Sequence, residues 1–153
     1  KWNDKIQFAY KDFIGFIKDK PVQKVAYFIW KNPYMTIGSD TFIHKILSEI
    51  GFENIFKDKT RYPQITTEDL ADADVIMLSS EPFPFKEKHI EELQAFYPDK
   101  NIMIVDGEAF SWYGTHIAKC ENYFKELLAE VHRMQLWFLN TKDTNILQQL
   151  SYL

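Results

Sequence analysis

The stretch Asn101–His116, NIMIVDGEAFSWYGTH, decides the fold. Ile102, Met103, Ile104 and Val105 form a short continuous apolar run between polar residues, the pattern of a strand buried on both faces. Asp106-Gly107 breaks the run, and a loop follows with Glu108, Phe110, Trp112 and Tyr113. Gly114-Thr115 then opens a helix, with Thr115 as the expected N-cap. In an open parallel sheet such a loop leaves the carboxyl end of a strand, which is the edge where ligands bind. Phe110 reads as a plug over the core. Trp112, between Ser111 and Tyr113, reads as ligand-facing.

The same alternation extends through the rest of the chain. Lys24–Trp30 (KVAYFIW) is the first expected strand, Asn54–Phe56 a short second and Val75–Ser79 (VIMLS) a third. Between them, residues 1–19 place Trp2, Ile6, Ala9, Tyr10, Phe13, Phe16 and Ile17 at helical spacing until Pro21 ends the run. That helix starts without an N-cap, as the end of a longer one would. Asp40 is the expected cap of a helix with Phe42, Ile43, Ile46, Leu47 and Ile50 on its apolar face, closed by Gly51. Thr66-Thr67-Glu68-Asp69 reads as another helix start, Lys86–Phe96 as a helix, and Thr115 to about Leu128 as the last helix of the lobe.

Helices alternating with continuously apolar strands define an α/β chain: a three-layer sandwich around a mostly parallel four-stranded, Rossmann-like sheet. Three units are expected. Residues 1–20 end a long helix, 21–128 form the α/β lobe, and 129–153 form an atypical apolar tail of helical character. In the tail, Met134, Leu136, Trp137, Phe138 and Leu139 are one greasy run, and Ile146, Leu147 and Leu150 suggest another short helix.

The totals narrow the class. A chain of 153 residues that is 46% hydrophobic and 16% aromatic suits one domain with a real core. A net charge of −4 with scattered Lys and Arg gives no basic face for nucleic acid. One cysteine, Cys120, excludes an internal disulfide, and its place in an apolar helix stripe reads as core. No stretch reaches the length of a membrane span or reads as a signal peptide. The first residue is Lys1, so a leader or more is expected upstream. His44, His89, His116 and His132 are dispersed, none with a partner at ligand spacing, so no metal site is expected; His116 lies near the expected rim. No nucleophile elbow, phosphate loop or dinucleotide fingerprint occurs, so neither an enzyme nor a cofactor is expected.

Loops 32–38, 80–85 and 106–114 each follow a strand, and right-handed crossovers put them on one edge. With the turn at 57–63 they are expected to bring Tyr34, Met35, Tyr62 and Trp112 to one rim, a site for something large, flat or greasy. Some assignments have a plain alternative. Met35 could only fill a gap, Tyr62 beside Pro63 could only pack its turn, and Glu81 could be a solvated loop acid.

The segment FIWKNPYMTIGSDTFIHKILSEIGFENIFKDKTRYPQITTEDLADADVIMLSSEPFPF, with the later DGEAFSWYG, resembles the C-terminal lobe of the helical-backbone (class III) substrate-binding proteins of ABC importers. These are the receptors for cobalamin, haem and iron–siderophore complexes. The aromatic strand with its N-P-x-x-T-x-G loop, the G-x-x-N-I-F run, the Y-P-Q-I-T-x-E-D-L segment and DGEAFSWYG keep order and spacing over about residues 1–128. The resemblance implies that residues 1–20 end the helix joining two lobes and that an N-terminal lobe lies outside this chain. It implies ligand contacts at Tyr34, Met35, Tyr62, Glu108 and Trp112, and docking to the permease through Glu68. The implied setting is periplasmic or anchored at the cell surface. The other readings are a flavodoxin-like α/β regulatory or enzymatic domain, disfavoured by the lack of a phosphate-binding loop, and a module that self-associates through its tail.

Overall fold

Two strands with no polar side carry the sheet. In a computed structural model, which describes residues 4, 11–12, 15–111 and 116–151, strand β1 (Gln23–Trp30) lies parallel to β4 (Val75–Ser79), and β4 lies parallel to β5 (Asn101–Val105). On the other side of β1 are two short strands. β3 (Phe52–Asn54) runs parallel to its start, and β2 (Met35–Thr36) runs antiparallel to its end. The sheet therefore has five strands in the order β2-β1-β4-β5, with β3 also on β1, rather than the four expected. The extra strand forms within the segment read as a loop at 32–38. Strand β3 sits two residues earlier than the strand expected at Asn54–Phe56, because residues 55–58 turn away from the sheet.

Val25, Ala26, Tyr27 and Phe28 are all fully buried, and they alternate between two cores. Val25 and Tyr27 join Val75, Met77, Met103 and Val105 under helices α1 (Phe42–Glu49) and α3 (His116–Ser151). Ala26 and Phe28 join Ile76, Leu78 and Ile102 under helix α2 (Glu87–Phe96) and the 3-10 turn Thr67–Leu70. Each large side chain so enclosed stabilises the fold by about 1.5–3 kcal/mol, which is why these strands show no alternation in sequence. The result is the expected three-layer α/β arrangement.

Several local expectations change. Thr41, not Asp40, caps α1: its side-chain oxygen accepts from His44 N at 3.2 Å. The Asp40 carboxylate is used elsewhere, accepting from the backbone N of Arg61 at 2.5 Å. Gly51 follows the helix with φ +96°, the left-handed conformation that glycine adopts freely. Thr66 opens only a four-residue 3-10 turn. Chain exit there is fixed by Lys100, whose ammonium donates to the carbonyls of Ala71 and Ala73 at 2.8 and 2.6 Å.

Helix α3 does not stop near Leu128. It continues unbroken through 36 residues, about 54 Å at 1.5 Å per residue. No Gly or Pro occurs between Leu128 and Ser151 to end it. Phe124, Leu127, Leu128 and Val131 pack on the lobe, whereas Leu136 and Trp137 are 62% and 57% exposed. Half-buried Cys120 packs against the same core. The cap expected at Thr115 lies outside the described residues. So do Trp2, Ile6, Ala9, Tyr10 and Phe13 of the expected first helix. Of that segment, Asp4, Lys11, Asp12 and residues 15–17 are helical, and Phe16 and Ile17 pack against the core. Lys125 ties the segment to α3 by pairing with Asp12 at 2.5 Å and Glu121 at 2.9 Å.

Replacing Phe28 by Ala should cost about 3–5 kcal/mol, whereas Trp30→Ala at the exposed end of the same strand should cost about 1 kcal/mol or less. Urea unfolding of the two variants checks this; equal losses would contradict the two-sided burial of β1.

Candidate functional site

At the carboxyl ends of the strands, two segments lie side by side. Residues 34–39 and 59–65 are laced by backbone bonds: Thr36 N donates to Pro63 O (3.0 Å), Gly38 N to Arg61 O (2.7 Å), Ser39 N to Lys59 O (2.9 Å) and Ile65 N to Tyr34 O (3.0 Å). Met35 bridges to Gln64. This close approach needs a residue without a side chain. A Cβ on Gly38 would lie 2.5 Å from Lys59 O and 2.6 Å from Thr60 Cα, both backbone atoms that cannot swing aside. Buried Asn54 anchors the pair from below, donating from Nδ2 to Ile37 O at 2.9 Å and accepting from Phe56 N at 3.0 Å. Arg61 has φ +58°, an unusual conformation for this residue type, and its N–H bond to Asp40 holds it there. Next to it Tyr62 is presented to solvent, 52% exposed.

The structure thus brings Tyr34 and Met35 against the segment carrying Tyr62. Tyr34 is less free than its loop position suggests. Its ring stacks on Phe28 with centroids 5.2 Å apart, and burial pushes its phenol above the usual range. Met35 is half-buried. The stack continues from Phe28 to Phe85, Phe83 and Trp30, so aromatic rings run beneath the strand tips and surface at Trp30, 40% exposed. His89 packs edge-on against Phe83 and Phe85, and burial depresses its pKa. Beside them Lys31 pairs with Glu92 and holds that carboxyl below its usual range.

The tips of β4 and β5 form the other part of the edge. Phe110 is fully buried between Tyr27 (5.1 Å) and Phe124 (5.3 Å), the plug expected of it. Glu108 is exposed; its backbone N donates to Asp106 Oδ1 at 3.0 Å. Trp112 lies outside the described residues. Gly107 N donates to Ser80 Oγ at 3.0 Å, and a Cβ there would meet Ser79 Oγ at 2.4 Å. Between these loops opens a cleft of about 240 Å³, apolar at Ile29 and Ile43 and polar at Tyr27, Ser79, Glu81 and Ser111. Reading the sequence missed this cleft. Its only signal was the pair of serines and Glu81 directly after a buried strand, and Glu81 lines it.

Glu68 sits in the 3-10 turn, exposed, with Thr66 Oγ1 donating to its Oε2 at 3.3 Å. The neighbouring Asp69 accepts from Thr66 N at 2.8 Å, so Asp69 closes the turn and Glu68 is the outward carboxylate. Among the described residues no group of three or more His, Cys, Asp or Glu could hold a metal ion. No helix among them is long and apolar enough to cross a membrane.

Comparison with solved structures gives the fold a context. The periplasmic vitamin B12 binding protein BtuF of Vibrio cholerae matches with a TM-score of 0.62 at 15% identity, over 85% of this chain and 51% of that one. The periplasmic heme binding protein HutB of Vibrio cholerae matches at 0.60 and 22% identity, over 80% and 52%. The iron uptake ABC transporter substrate-binding protein PiaA of Streptococcus pneumoniae matches at 0.65 and 14% identity, over 86% and 54%. The chain spans about half the length of the structures it matches. Its fold is that of one lobe of these class III periplasmic binding proteins. No protein-family model matches the sequence, and no curated protein does.

Gly38→Ala should destabilise the chain by about 1–3 kcal/mol, because the added methyl group meets backbone that is itself hydrogen-bonded. Gly15→Ala, on an open helical site, should instead stabilise by about 0.5–1 kcal/mol. Thermal melts of both variants test the close approach at the rim; a neutral Gly38→Ala would contradict it.

Proposed function

We propose that this chain is the C-terminal lobe of the substrate-binding component of an ABC importer that takes a metal chelate or tetrapyrrole, such as cobalamin, haem or a ferric siderophore. The observation that carries this reading is the lobe architecture shared with BtuF, HutB and PiaA over about half of each of those chains. In this reading the ligand lies along the strand-tip edge and meets Tyr34, Met35, Tyr62, Glu108 and Trp112. From the Tyr62 side to the Glu108 side this edge crosses three strand spacings, about 14 Å, which suits a broad flat ligand. An N-terminal lobe supplies the opposite wall. Glu68 docks to the permease, a role its exposure supports. The protein acts in the periplasm or anchored at the cell surface.

Two exposed residues of α3 favour one further property. Leu136 and Trp137 are large apolar side chains left accessible on the helix, and such exposure promotes self-association through the tail.

A single wall makes about half of the contacts of a closed receptor. If the complete receptor binds at nanomolar level, about −12 kcal/mol, half of that energy leaves a Kd of about 30 µM. Calorimetric titration of the 153-residue chain with cobalamin or haem should therefore show binding in the tens of micromolar or weaker. Stoichiometric nanomolar uptake by the chain alone would contradict the one-wall reading.

A further inference from the structure

The cleft at the tips of β1 and β4 has an unusual hydrogen-bond balance: among the described residues, every hydroxyl proton on its wall already has an acceptor within the protein. Tyr27 Oη donates to Ser79 Oγ at 3.2 Å. Ser79 Oγ donates in turn to the carbonyl of Glu81 at 2.6 Å. Ser111 Oγ donates to the carbonyl of Gly107 at 2.7 Å. The backbone donors are committed as well: Gly107 N to Ser80 Oγ, Ser111 N to Glu108 O and Glu81 N to Ser79 Oγ. Pro82 has none to offer. What the cleft's described residues present to a visitor is the lone pairs of Ser111 Oγ and the Glu81 carboxylate, all acceptors.

The charges nearby have the same sign. Glu81 lines the cleft, and Asp106 lies close enough that both carboxylates, together with the dominant effect of burial, hold the Tyr27 phenol in its neutral form. Lys31, at the end of β1, is paired with Glu92 beside α2, beneath the opposite face of the sheet from Tyr27. The cations on the rim, Lys59 and Arg61, belong to the segment bonded to residues 34–39, on the far side of β1 from β4.

We infer that this cleft is a specificity subsite that takes an N–H donor group on the ligand's periphery, a primary carboxamide or an ammonium, and rejects a carboxylate. The inference rests on the receptor reading above and selects within it. Ligands fringed with amides are favoured, and ligands whose side chains end in free acids are not. A donor finds unused acceptors at the exposed Ser111 hydroxyl and the Glu81 carboxylate, whereas Tyr27 is fully buried and Ser79 Oγ already accepts from Tyr27 Oη and Glu81 N. Among the described residues a carboxylate finds no free donor there, and it meets the negative charge of Glu81. The cleft's 240 Å³ admits one short side chain and not a ring system.

The test uses the whole 153-residue chain and one corrinoid in three forms, with side chains as primary amides, as free carboxylates, and extended by aminoethyl groups. Binding is followed through amide NMR shifts at Ser79, Gly107 and Ser111 in the cleft and at Tyr34 and Tyr62 on the rim. The amide and amine forms should bind at least tenfold more tightly than the carboxylate form and shift the cleft signals; whichever of the two is tighter identifies the donor. Glu81→Gln, which replaces the charge with a side chain that also donates, should narrow the discrimination severalfold. Equal affinity of all three forms, with shifts at the rim only, would overturn the subsite and leave the receptor reading intact. No shift at either place with any form would overturn both.

Discussion

Enclosure of β1 and β4 between two apolar layers is the constraint from which the other features of this lobe follow. Val25 and Tyr27 face one core and Ala26 and Phe28 the other, all without solvent contact. A slip of one residue would exchange the two sets and drive the Tyr27 hydroxyl away from Ser79, its only polar partner in the sheet. Parallel pairing from β1 through β4 to β5 then obliges each connection to cross over and each departing loop to leave at the same edge. The site is a consequence of the core rather than an addition to it.

What shapes that edge is a small number of close backbone approaches. Gly38 lets segments 34–39 and 59–65 touch, and Gly107 lets the loop after β5 settle on the tip of β4. Asn54 and Asp40 use side-chain atoms where backbone partners run out, one under Ile37 and the other on Arg61. These polar contacts hold the loops in place before any ligand arrives. Preorganisation of that kind limits the ordering cost of binding. The hydroxyls of the cleft likewise have their protons fixed in advance, on Ser79, Glu81 and Gly107.

Much of this was legible in the sequence where the signal is local and periodic. The continuous runs VIMLS and NIMIV read as strands buried on both sides, and Phe42 to Ile50 as an amphipathic helix, and each forms as read. Failures came where two residues compete for one task or a partner is distant in sequence. Asp40 has the chemistry of a cap, but Arg61, twenty-one residues on, claims its carboxylate, and Thr41 caps instead. Thr66 begins a turn in helical fashion, yet buried Ala73 and the start of β4 come too soon for an α-helix to develop. That the helical tail continues α3 without a break was missed because Val131 is the last buried residue among those described, while nothing in the sequence ends the helix there. The direction in which Ser79 and Ser111 donate depends on contacts that no spacing rule contains.

The receptor interpretation depends on which end of the sheet meets the ligand. Hydroxyl-radical footprinting of the full chain, free and with saturating corrinoid, compares Tyr62 at the strand-tip edge with Phe96, 65% exposed at the last residue of α2, near the opposite edge. Protection of Tyr62 with Phe96 unchanged is the expected result. Protection of Phe96, or equal reactivity of Tyr62 in both states, would contradict the assignment of the ligand wall to the carboxyl ends of the strands.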